Sequence, residues 1–108
     1  ALEGLSQLLD TIRLVQERLN PDLRIAGLAM TMFDPRTHLS TQVIGEVAKH
    51  FPDLIFKAVV PRSVRIAEAP SFGEPLIAFD PKSRAAQAYA ALTNELLERE
   101  KSDSQRVG

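Results

Sequence analysis

The chain has 108 residues, 44% of them hydrophobic and 25% charged, which suits one domain at the small end of what buries a stable core. Its formal net charge of -1 excludes both a global basic field that would announce nucleic acid and the acidic excess of a disordered chain, so any anion site must be local. With no cysteine there is no disulfide framework, thiol nucleophile or thiolate-held iron–sulfur cluster, and no apolar run approaches the roughly 20 residues of a bilayer span, so a soluble, cytoplasmic protein is expected.

Leu2, Leu5, Leu8, Leu9, Ile12, Val15 and Leu19 recur at three- and four-residue steps and predict an amphipathic helix that ends at Asn20-Pro21. Ile25 to Phe33 is almost unbroken apolar, the pattern of a strand buried on both faces in a parallel sheet. Asp34-Pro35 turns the chain into a second helix, capped by Thr37 or Ser40, with Leu39, Val43, Ile44, Val47 and Phe51 on one side. Leu54 to Val60 predicts a second buried strand, stopped by Pro61. From Val60 to Pro75 there is no helical or strand period. After the apolar piece Leu76 to Phe79, Asp80 is expected to cap a last helix with Pro81 at its first position. Ala85, Ala88, Tyr89, Leu92 and Leu96 form that helix's buried stripe, and the polar stretch from Arg99 to Gly108 is expected to fray.

This order is the rhythm of a parallel α/β layer, with right-handed crossovers placing helices on the sheet faces. About two buried strands and three main helices are too few for a free-standing sheet. The expected architecture is therefore the C-terminal part of a larger sheet, with residues 1–100 in the domain and 101–108 a polar, disordered tail; a small complete α/β domain is the other reading.

A phosphate-binding loop needs closely spaced glycines and a following lysine. Here Gly4, Gly27, Gly45 and Gly73 stand isolated, and none of Lys49, Lys57, Lys82 and Lys101 follows a glycine, so no such loop can be drawn. Thr31 to Thr37 and Pro61-Arg62-Ser63 instead follow the two predicted strands at the edge where open α/β sheets place their ligands. Each of these loops brings an arginine, and Leu54 to Ala67 carries Lys57, Arg62 and Arg65 with no acidic residue. His38 and His50 lack partners at metal-ligand spacing, and no catalytic constellation is evident in Asp34, Glu68 and Glu74.

The segment Val60-Pro-Arg-Ser-Val-Arg-Ile-Ala-Glu-Ala-Pro-Ser-Phe-Gly-Glu-Pro75 resembles the signature near the C-terminal end of ParA/Soj-type partition ATPases, and Thr31-Met-Phe-Asp-Pro-Arg-Thr37 lies upstream at that family's spacing. The likeness runs from Ala1–Leu9 through Asn20–Leu23 to Asp80–Ser83 and the final helix, nearly the whole chain.

The resemblance implies the C-terminal part of a P-loop NTPase-like parallel sheet flanked by helices. Such deviant-Walker ATPases act in chromosome or plasmid partitioning: ATP sandwiches two subunits into a dimer that binds nonspecific DNA until a ParB-type partner stimulates hydrolysis. The phosphate and Mg2+ chemistry belongs to the family's N-terminal half, so this chain alone is expected to be inactive, with no catalytic or metal residue of its own. It implies an adenine-side pocket from Met32, Pro61, Arg62 and Ser63, and DNA contacts from Arg36 and Arg65. The family often carries Asn where Ser63 stands, which shifts the expected base contact from side chain to backbone. No membrane anchor is expected, because Glu98 to Gly108 lacks the basic and bulky apolar faces of a MinD-like helix, and the complete protein is expected in the cytoplasm on the nucleoid. The alternative is a free-standing truncated, non-enzymatic module that binds DNA or a partner.

Overall fold

The computed structural model describes residues 2–107, and the side chains of residues 2–102. It opens with α1 (Leu2–Arg18), whose stripe places Leu5, Leu9, Ile12 and Val15 half-buried but buries no residue fully. The helix closes where the Leu19 and Asn20 amides donate to the Val15 carbonyl at 2.9 and 2.8 Å, and Gln16 Nε2 holds the following turn through the Leu23 carbonyl at 2.8 Å.

Strands β1 (Leu28–Phe33) and β2 (Ile55–Pro61) pair in parallel, joined by the crossover helix α2 (His38–His50). Thr37 is its N-cap, accepting the Ser40 amide at 3.3 Å. The register runs Leu28 to Ile55, Met30 to Val59 and Phe33 to Pro61, so the pairing bulges twice, first on β2 and then on β1. Burial on both faces was expected of each strand. In this chain β2, on which α5 packs, buries Phe56 and Val60, whereas β1, which has no helix packed on it to the same extent, has no fully buried residue.

The segment without a period contains α3 (Val64–Glu68) and a 3-10 turn over Ala69–Phe72, and the apolar piece after it forms α4 (Leu76–Phe79). Gly73 at φ 67 ends the 3-10 turn in the left-handed region that suits glycine, and Pro75 precedes α4, so each piece is too short to build a helical period.

The last helix, α5 (Arg84–Val107), starts later than expected. Ser83, not Asp80, caps it, its Oγ accepting the Ala86 amide at 3.1 Å, while Asp80 ends α4. Ala85 and Ala86 are buried at its start, where small side chains let helix and sheet approach. Further along, Glu95 accepts the Lys57 and Ala58 amides of the β2 bulge, and Arg99 donates to the Ala26, Leu54 and Ile55 carbonyls at 3.3, 2.8 and 2.8 Å. Fraying from Arg99 is therefore not seen, because its guanidinium also lies over the Phe56 ring at 3.9 Å. Gly108 and the side chains from residue 103 on, most of the expected tail, lie outside the described residues.

Candidate functional site

Parallel pairing brings the C-terminal ends of β1 and β2 to one edge, so the loops that leave them face each other. The Arg62 amide donates to the Phe33 carbonyl at 2.9 Å and ties the two loops together. Between them and the start of α5 runs an open groove of about 1050 Å³. All six residues singled out from the sequence line it: Met32, Arg36, Pro61, Arg62, Ser63 and Arg65. Arg84, on which the sequence reading was silent, lines it as well.

Met32 sits on the β1 bulge with φ 55, a left-handed conformation that costs an L-residue about 1–2 kcal/mol. The residue is 71% exposed at the groove, so apolar surface is presented to solvent beside the half-buried Pro61. Ser63 caps α3, its Oγ accepting the Arg65 amide at 3.1 Å, which leaves the hydroxyl proton free to donate.

The arginines differ in how far their charge is spent. Arg36 Nε and Nη2 donate to Asp34 Oδ1 and Oδ2 at 3.0 and 2.9 Å, and the Arg36 amide adds a third bond to Oδ1 at 3.0 Å. These bonds, with the nearby Arg36 and Arg62 charges, lower the Asp34 pKa from 3.8 to about 2 against partial desolvation, and raise that of Arg36. Arg65 Nη1 meets Glu68 Oε2 at 3.1 Å and its Nε meets Asp80 Oδ2 at 3.2 Å. Its guanidinium lies 5.7 Å from the centre of the Phe79 ring, which stacks on Phe72 at 4.8 Å. Among the described residues, neither Arg62 nor Arg84 has a carboxylate within salt-bridge reach. His38 and His50 take no part in the groove; His50 Nε2 lies 3.5 Å from Glu46.

A strained apolar residue beside a cluster of arginines at the C-terminal edge of a parallel sheet is chemistry for a flat base and for phosphate. The family model described as the CobQ/CobB/MinD/ParA nucleotide binding domain matches residues 3–76. The chain belongs to that family and is of its ParA/Soj type. The sporulation initiation inhibitor protein Soj of Bacillus subtilis is 57% identical over 96 residues, 89% of this chain. The chromosome partitioning protein ParA of Myxococcus xanthus is 49% identical over 98% of the chain, and that of Caulobacter vibrioides 50% over 94%. The chain spans 38% of the length of each of these ParA/Soj relatives. Among its described residues, no helix is long and apolar enough to cross a membrane.

The sequence motifs lead to both loops but not to Asp34 as the partner of Arg36, nor to Arg84. The first had a local signal: Asp34 and Arg36 flank a proline at the reach of an Asx turn. The second had one too, a cation in the first turn of a helix without an acidic neighbour there.

Proposed function

We propose that the groove is the adenine-side and DNA-facing surface of a chromosome or plasmid partition protein of the ParA/Soj type. In the complete protein, ATP bridges two subunits, the dimer binds DNA without sequence preference, and a ParB-type partner triggers hydrolysis and release. The single observation that supports the reading best is the convergence of Met32, Pro61, Arg62 and Ser63 with Arg36 and Arg65 on one groove.

The residues fit the base end of ATP. Exposed Met32 and half-buried Pro61 offer apolar surface for a flat ring, and the Ser63 hydroxyl and neighbouring backbone offer polar contacts at its edge. The triphosphate and Mg2+ find no glycine-rich loop in this chain, and the reading assigns them to the N-terminal half of the family fold. ATP, when bound, supplies the bridge between subunits and the bond that is hydrolysed. Arg36 and Arg65 supply what a nonspecific DNA site needs, guanidinium groups that grip phosphate without reading bases. The protein would accordingly work in the cytoplasm, on the nucleoid.

The test separates the two functions of the groove. In the natural-length protein, Arg36→Ala and Arg65→Ala are each expected to weaken DNA binding several-fold while ATP-dependent dimerisation, followed by sedimentation, stays unchanged. Equal loss of both activities would contradict the proposal.

A further inference from the structure

Arg84 has no role in the reading above, yet it lines the same groove as Arg36, Arg62 and Arg65. Its position is unfavourable for a cation. It is the first residue of α5, a helix long enough to develop a full dipole, and no acidic residue stands in that first turn. A positive charge at a helix N-terminus opposes the dipole and typically destabilises by about 0.3–1 kcal/mol. No described carboxylate offsets the placement, whereas Arg36 and Arg65 are held by Asp34, Glu68 and Asp80. A local rule broken without compensation is a mark of a functional position.

We propose that Arg84 is a third phosphate-gripping arginine of the groove, contacting the DNA backbone beside Arg36 and Arg65. The inference rests on the DNA-binding reading of the groove and adds to it a residue on a different element. Its charge is unspent and exposed, so phosphate approaches it without first displacing a carboxylate. At Arg36 and Arg65 part of the guanidinium is already engaged by a carboxylate, which weakens the pull on an incoming phosphate. Arg84 therefore contributes as much to affinity as either of them, even though it belongs to neither loop.

The experiment is a salt titration of binding to a random-sequence duplex by the natural-length protein with ATP, for Arg84→Ala, Arg84→Glu and Arg65→Ala. One lost phosphate contact lowers the slope of log affinity against log salt by about 0.9, roughly eightfold in affinity at 0.1 M salt. Arg84→Ala is expected to show that loss, and Arg84→Glu a larger one. Thermal melting guards against a folding artefact, because Arg84→Glu agrees with the helix dipole and is expected to melt no lower than wild type. ATP affinity, read with a fluorescent analogue, is expected to stay unchanged in both, assigning the phosphate to DNA and not to nucleotide. Unchanged slopes in the Arg84 variants alongside a loss in Arg65→Ala would overturn this inference and leave the DNA groove standing. A loss confined to ATP affinity would also overturn it, and unchanged slopes in all three variants would overturn the DNA groove as well.

Discussion

Asp34 shows how one residue shapes both the loop and its chemistry. Its carboxylate caps the turn through the Arg36 amide and grips the Arg36 side chain with both oxygens, so the arginine is pre-oriented while much of its charge is quenched. The Asp34 pKa is lowered to about 2 in the folded state, so the folded protein holds that proton less tightly than the unfolded chain does. The stabilisation is therefore present above about pH 4 and is lost as pH falls toward 2. In urea titrations, wild type and Asp34→Asn are expected to differ most at pH 5, with wild type the more stable, and to converge as pH is lowered through 3. A difference that is constant across this range would contradict the ion pair as drawn. Met32 makes the complementary point, because its positive φ is a cost borne at the groove and follows from the β1 bulge, which no sequence period reveals.

At the scale of elements, α1, α2, both strands and α5 were legible because each carries a run long enough to show its period or its unbroken apolar character. The pieces between Val64 and Phe79 were not, since proline and glycine cut them to one turn or little more. Arg99 was misread for a different reason. Arg99 looks like a solvated tail residue in one dimension, but it lies one turn beyond Glu95, and the two reach the backbone of β2 from the same helix face. Glu95 satisfies amides that the β2 bulge withdraws from the ladder, and Arg99 satisfies carbonyls at the strand's start. The approach is close enough that a Cβ at Gly27 would collide with the Phe56 ring and the Arg99 guanidinium. Arg99→Ala removes charged hydrogen bonds and the contact with Phe56, and is expected to destabilise by about 2–3 kcal/mol in denaturant unfolding, with Arg99→Lys in between. A change below about 0.5 kcal/mol would show that the clamp does not hold α5 to the sheet.

For the molecule as a whole, the magnitudes point to a surface that expects cover. The radius of gyration is 16.1 Å, against about 13 Å for a compact domain near 100 residues. The accessible surface is 8389 Å², against about 5,900 Å² for a compact monomer of this mass. Leu8, Leu14 and Leu19 on and beside α1, Leu39 on α2 and Val64 on α3 contribute to that excess. This favours a part of a larger layer over a free-standing module, in keeping with relatives of which the chain spans 38%. The sequence motifs led to the groove's two loops because both follow strands of one parallel sheet, whereas the local signal at Arg84 does not say which loops it faces, and only the tertiary fold brings residue 84 back to them. The measurement that tests the central claim most directly is DNA binding by the natural-length protein as a function of salt, with and without ATP. Arg36, Arg65 and Arg84 from two ATP-bridged subunits predict sequence-independent binding that requires ATP and falls with a log–log slope of roughly -5. Binding that ignores ATP, or that is insensitive to salt, would contradict the account.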